Sequence, residues 1–270
     1  MPKIISVIST KGGVGKTTVT ANLAGFTADQ HIKTLLIDAD VQPSLSNYYK
    51  IETIAKGALQ ELMTNPEVTP EDVVSTVNPY LDIIVSDDPN AELQKWVRDT
   101  PDGRFRLRRI LKERFCEYDV ILIDTQGAVG PLQEATVIAS DLMLSPVVPD
   151  KLSASEFLHN TLSMINRLSE SAKWMGIEIA PLFAVLNQVK NTSDCIEYST
   201  QIRSIDFSEH CLIPITIIDV EIPDTVAFKD AASSGTPLHK FERKTRRKSA
   251  SALEIMTGLA QGLGINVGGK

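Results

Sequence analysis

Ile4-Ile5-Ser6-Val7-Ile8-Ser9-Thr10-Lys11-Gly12-Gly13-Val14-Gly15-Lys16-Thr17-Thr18 is the stretch that decides how this chain folds. Its first half is apolar and β-branched and reads as a strand. A glycine-rich turn follows, and Thr18 to Asp29 then has the character of a helix. A helix N-terminus leaves backbone N–H groups unpaired and carries partial positive charge. Gly12, Gly13 and Gly15 let the backbone wrap around an anion with no Cβ in the way. Together with Val14 and Thr18 they make a loop suited to phosphate. Lys16 is placed to reach the β- and γ-phosphates of a nucleotide, and the Thr17 hydroxyl to complete the shell of a Mg2+ ion.

Outward from this loop, strand-like and helix-like segments alternate. Strands are expected at Lys3 to Ser9, Lys33 to Ile37, Leu81 to Val85, Val120 to Asp124, Leu142 to Val148, Ile179 to Leu186 and Ile213 to Ile218. Helices are expected at about Gly15 to Gln30, Gly57 to Met63, Pro70 to Thr76, Ser153 to Trp174, Ser193 to Phe207, Pro223 to Ser233 and Ser249 to Leu263. Thr69 reads as an N-cap with Pro70 behind it. Phe105, Leu107, Ile110, Leu111 and Phe115 fall near helical spacing, so the basic residues from Arg104 to Arg114 are expected to point outward. This alternation predicts an α/β fold with a doubly wound, mostly parallel sheet flanked by helices. Without a repeat or a linker-like stretch, residues 1–264 are read as a single domain, and 265–270 as a frayed tail.

The composition is that of an ordinary globular chain: 270 residues, 43% hydrophobic and 23% charged. There is no apolar run of eighteen residues and no signal-like start, which points to a cytoplasmic protein. Cys116, Cys195 and Cys211 are far apart and form no C-x-x-C, so neither a disulfide framework nor a zinc or iron–sulfur site is indicated. A net charge of −7 argues against a nucleic-acid binder. The distribution is uneven, however. Lys240 to Lys248 is strongly basic, and so is Arg104 to Arg114.

In a doubly wound sheet, ligands bind beyond the carboxyl ends of the strands. Besides the glycine loop, two strand ends carry carboxylates there. Asp124 follows the apolar run Val120-Ile121-Leu122-Ile123 and suits a metal-holding role. Asp38 and Asp40, two apart on an extended segment, are expected to face opposite sides, one toward a metal and one toward the γ-phosphate.

The loop departs from the general G-x-x-x-x-G-K-[ST] pattern. Its first glycine is replaced by Thr10, and Lys11 adds a second lysine. Lys11-Gly12-Gly13-Val14-Gly15-Lys16-Thr17-Thr18 resembles the deviant Walker A motif of the ParA/MinD superfamily of P-loop ATPases, in its small ParA-type partition form. The resemblance implies ATP and Mg2+ as cofactors and a weak basal ATPase, with Lys11 reaching across a dimer interface to the partner's nucleotide. Asp124 resembles a Walker B carboxylate. Asp38-Ala39-Asp40-Val41-Gln42 resembles the second signature, in which Asp40 would position the attacking water and Asp38 would support the metal shell. Val41 stands where proline is common, and Thr125-Gln126-Gly127 replaces the usual Thr-Pro-Pro, so both switch loops are expected to differ somewhat. Asn187 matches a position that holds the adenine edge, and Pro223 belongs to a segment that closes over the base.

The same resemblance implies partners. An ATP-dependent homodimer would bind duplex DNA without sequence preference through Arg243, Lys244, Arg246, Arg247 and Lys248. A ParB-like centromere-binding protein would stimulate hydrolysis and release it, giving a nucleoid-associated protein. The chain starts directly at the first strand, so the N-terminal helix-turn-helix of larger plasmid ParA proteins is expected to be missing. The alternative is a MinD-like or other cargo-positioning switch acting on a membrane or a protein cargo. Leu253 to Gly264 carries no lysine or arginine, which disfavours membrane contact and leaves no membrane partner expected.

Overall fold

The computed structural model of the chain describes residues 1–241 and 250–268. Its elements run β1 (Lys3–Val7), α1 (Lys16–Asp29), β2 (Thr34–Ala39), α2 (Leu59–Thr64), α3 (Pro70–Val73), β3 (Ser75–Asn78) and β4 (Leu81–Ile84). Then come α4 (Glu92–Asp99), α5 (Gly103–Arg114), β5 (Val120–Thr125), α6 (Pro131–Ala139) and β6 (Leu142–Val147). Next, α7 (Lys151–Glu156) passes through a π-helical turn (Phe157–Thr161) into α8 (Leu162–Lys173), followed by β7 (Leu182–Val189) and α9 (Ser193–Ser204). The chain closes with β8 (Ile215–Pro223), α10 (Val226–Ser234), α11 (Leu238–Phe241) and α12 (Ala252–Gly262).

The eight strands form one sheet in the order β3-β4-β2-β5-β1-β6-β7-β8. Every pairing is parallel except β3 with β4. Parallel strands need crossover connections, and those helices cover both faces of the sheet. The side chains show it. Ile5, Val7, Leu36 and Leu122 pack with Leu23 and Phe26 of α1 and Met256 and Leu259 of α12. Their strand neighbours Ile4, Leu35, Ile37, Ile121 and Ile123 pack on the opposite face with α2, α4, α5 and α6. Alternate residues serve opposite faces, so strands buried on both sides become near-continuous apolar runs. The fold is thus the doubly wound parallel sheet expected from the sequence.

Several local readings are corrected. Residues 74–76, expected to complete a helix begun at Pro70, instead lead into β3. Thr69 and Asp72 cap only a single turn there, and Val73-Val74-Ser75-Thr76-Val77, β-branched at all but Ser75, then prefers the sheet edge. Helices α4 and α6 were not anticipated. Asp88 starts α4 by accepting the Glu92 and Leu93 N–H groups at 2.6 and 2.9 Å, and Gly130-Pro131 opens α6 with proline in its first turn. The long helix expected from Ser153 to Trp174 is present, with a π turn within it, while β8 runs on to Pro223, where a helix had been expected to start. Past Gly264 the chain does not fray at once, because Ile265 is buried in the core and its N–H bonds Ala260.

Candidate nucleotide site

The glycine loop takes its shape from backbone dihedrals that only glycine tolerates well. Gly13 has φ 77° and Gly15 has φ 89°, and Gly15 caps α1 with no side-chain hydrogen bond. The first N–H groups of this 14-residue helix therefore face the loop with their partial positive charge available. Lys16 is buried beside them. Burial holds its ammonium below the usual lysine range, opposed by the charges of Asp124 and Asp40.

Sheet register brings the carboxylates in. Asp38 of β2 pairs directly with Asp124 of β5, and Val7 of β1 pairs with Asp124 on its other side. Both aspartates are wholly buried. Asp124 is pushed up to about 7, first by burial, then by the negative charges of Asp38 and Asp40, against the Thr17 hydroxyl and Lys16. Neither of its oxygens has a properly formed hydrogen bond, an arrangement natural proteins avoid unless something else occupies the group. Asp38 is also raised by burial, but it has partners. It accepts Ser46 N–H at 2.8 Å, the Ser46 hydroxyl at 2.7 Å and Asp40 N–H at 3.2 Å.

Asp38 and Asp40 do not face opposite sides. Residues two apart on extended backbone point the same way. The charges of both act on Asp124, so the three carboxylates converge on one end of the sheet. Lys16 is the cation among them. The donors fit a hard divalent ion: a carboxylate without partners and the Thr17 hydroxyl. Among the described residues no three His, Cys, Asp or Glu are grouped to hold a metal by themselves, so phosphate and water oxygens would have to supply the remaining ligands.

The other expected residues are placed as follows. Lys11 donates to the Ser153 hydroxyl at 2.7 Å and stands 4.0 Å from Asp150, both at the start of α7 in its own chain. Asn187, expected at the adenine edge, donates to the Val14 carbonyl at 2.7 Å and so braces the loop. Gln188, held at φ 56°, does the same to Gly13 at 3.0 Å. Pro223 ends β8 and pairs with Val189, two residues beyond Asn187. Arg243, Lys244, Arg246, Arg247 and Lys248 lie outside the described residues.

Sequence reasoning missed Thr161 and, though it named Gly127 in the second switch segment, missed how closely that glycine packs on the loop. Thr161, in the π turn, meets the Thr10 hydroxyl at 2.9 Å and pins the start of the loop. Gly127 lies so close that a Cβ there would stand 2.9 Å from Gly12 Cα and 3.3 Å from the Lys16 ammonium. Its position after Asp124 was the one available signal.

The basic helix α5 is not the outward-facing row that was expected. Arg104 pairs with Glu134 and Lys112 with Asp141, each at 2.7 Å, and Arg106 bonds Asp102 and lies over Trp96. Arg108 donates to the Ile138 carbonyl at the end of α6, and Arg114 to Val68 and Pro66. These side chains hold helices together.

Comparison with known proteins agrees with this geometry. Residues 2–177, more than half of the chain, match the family model described as AAA domain. The chromosome partitioning protein ParA of Myxococcus xanthus is 27% identical over 250 residues, 90% of this chain and 83% of that protein. The maintenance of carboxysome distribution protein A of Synechococcus elongatus is 28% identical over 172 residues, covering 64% and 68%. Among solved structures, an ATP complex of a Cyanothece McdA variant superposes with a TM-score of 0.77 at 22% identity, over 100% of this chain and 99% of that one. With its glycine loop, double lysine and strand-end carboxylates arranged as described, the chain belongs to the AAA domain family and, within it, to the ParA-type partition ATPases of the ParA/MinD superfamily.

Proposed function

We propose that the chain is an ATP-driven partition or positioning switch whose ATP-bound homodimer binds duplex DNA non-specifically. The observation that carries the nucleotide part is Asp124, buried without partners beside Thr17 and Lys16 at the N-terminus of α1. In this reading Gly12, Gly13, Val14, Gly15, Lys16, Thr17 and Thr18 cradle the phosphates, while Thr17 and Asp124 hold Mg2+, with Asp38 behind them. Mg2+, when bound, would neutralise charge developing on the phosphate oxygens. Asp40 orients the attacking water, and Lys16 neutralises the γ-phosphate. Lys11 leaves Asp150 and Ser153 to reach the second copy's nucleotide. Asn187 and Pro223 border the base once the amide of Asn187 is released from Val14.

Support for partition or positioning comes from the relatives, which include a chromosome partitioning protein and a carboxysome distribution protein. Against a membrane-cycling role, the apolar side of α12 is spent on the core through Ile255, Met256 and Leu259. No helix among the described residues is long and apolar enough to cross a membrane. DNA contact is assigned to Arg243, Lys244, Arg246, Arg247 and Lys248, and hydrolysis is expected to be stimulated by a ParB-like protein. The second reading, positioning of a protein cargo, is favoured by the carboxysome relative and uses the same switch.

DNA binding measured with ATP, with ADP and without nucleotide tests the proposal. Binding is expected only with ATP, and should vanish in the double variant Arg246→Glu, Arg247→Glu while ATP-driven dimerisation persists. Each dimer presents two patches, so if about three contacts form per protomer, the slope of log K against log salt is about −5. Binding by the double variant equal to wild type would overturn the assignment of DNA to this segment.

A further inference from the structure

Asn22 sits in the middle of α1, two helical turns from the glycine loop, and is wholly buried. A buried amide inside a helix is a poor choice for packing. It loses helix propensity against leucine or alanine and must find partners for every polar atom. Here all are found, in three separate parts of the chain. Its Nδ2 donates to the Thr18 carbonyl at 2.7 Å and to the Tyr48 hydroxyl at 3.1 Å, and its Oδ1 accepts the Leu238 N–H at 2.7 Å.

Tyr48 lies two residues after Ser46, the residue that holds Asp38 by two hydrogen bonds. Leu238 begins α11, and its neighbours are fixed to the same helix. His239 meets Asp29 at 2.6 Å and stands edge-on to Phe26, and Lys240 meets the other oxygen of Asp29 at 2.6 Å. One face of α1 therefore carries both the end of the carboxylate loop and the segment that leads into residues 242–249. Among the described residues Asn22 bonds to both.

We propose that Asn22 is a positioning residue that couples the Asp38–Ser46 loop to residues 237–240, so that nucleotide at the carboxylates is felt at α11. The inference rests on the nucleotide reading above. Occupancy at Asp38 and Asp124 shifts Ser46, Ser46 shifts Tyr48, and the Tyr48 hydroxyl is what orients the amide whose oxygen holds Leu238. A chain of bonds of this kind transmits a change only if each link has two arrangements, and an amide that turns about its last bond provides that.

Hydrogen exchange of the full chain, with and without ATP·Mg2+, tests the coupling at the Leu238 amide and at residues 44–50. In wild type both are expected to slow on nucleotide addition, the Leu238 amide by about tenfold. Tyr48→Phe keeps the ring and removes only the hydroxyl. Residues 44–50 should then still respond, while the response at Leu238 shrinks to about twofold or less. Asn22→Asp, which keeps the acceptor for Leu238 but loses both donors, should behave in the same way. An unchanged Leu238 response in Tyr48→Phe would overturn the coupling, as would a wild type in which only residues 44–50 respond. Absence of ATP binding by wild type in calorimetry would instead overturn the nucleotide reading, and the inference with it.

Discussion

Two regions of this molecule are dense in charge and use it in opposite ways. At the carboxyl ends of β2 and β5, Lys16, Asp38 and Asp124 are buried, and neither oxygen of Asp124 has a properly formed hydrogen bond. Along α5, Arg104, Arg106, Arg108, Lys112 and Arg114 are half-buried or better, and each is matched to a carboxylate or a backbone carbonyl. Charge that has found all its partners within the chain is structural. Charge held out of water without one is poised for something that arrives from outside.

The largest effect should come from removing the unsatisfied charge. Asp124→Asn keeps the shape and discards the ionisation. The folded carboxyl titrates near 7 and the unfolded one near 3.8, so the folded state binds the extra proton between those values. Its contribution is therefore fully present below about pH 4, is lost as pH rises to about 7, and is flat above that. In the absence of Mg2+ the Asn variant should be more stable than wild type by on the order of 2–4 kcal/mol at pH 8, with the gap closing toward pH 4. Denaturant melts at both pH values check this, and a variant less stable than wild type at pH 8 would break the comparison. Hydrolysis should be lost at the same time.

Gly127→Ala sharpens it from the side of shape. The added methyl meets the Gly12 backbone, not the tip of a flexible side chain. Overpacking of this kind costs about 1–3 kcal/mol. Because the displaced atoms belong to the phosphate loop, ATP affinity should fall by about tenfold. Titration calorimetry that finds undiminished affinity would show that the loop yields freely there.

The smallest effect belongs to α5. Lys112→Ala breaks a half-exposed pair with Asp141 and should cost no more than about 1 kcal/mol. Nucleotide and DNA binding should remain unchanged. A loss of DNA affinity in that variant would mean that the helix serves both purposes, and the distinction drawn above would fail.

The parts that could be read from the sequence were those whose signal is local. Three glycines and two lysines within six residues, set after a β-branched strand, are legible because each dihedral and each charge is fixed by its neighbours. The run Val120 to Asp124 declared a strand buried on both faces in the same way. Partners from distant segments were not legible. That Arg104 and Lys112 would meet Glu134 and Asp141 depends on how α5 packs against α6, a helix the reading had missed. That Lys11 would rest on Ser153 spans 142 residues. The opposed orientation assigned to Asp38 and Asp40 failed for a different reason. Residues two apart on extended backbone share a side, so Asp38 and Asp40 turn the same way.

The direct pairing of Asp38 with Asp124 also bears on how the molecule is made. A slip of one residue between β2 and β5 would turn Asp38 to the opposite face of the sheet, away from Asp124. No fragment near the glycine loop can check this by itself, since β2 and β5 are separated by the whole of α2 through α5. If Asp124 holds Mg2+ as proposed, the glycine loop emerges early in synthesis but its site is complete only once residue 124 has docked in register. ATP would then be a ligand that recognises correct strand pairing, and it would stabilise the chains that have achieved it.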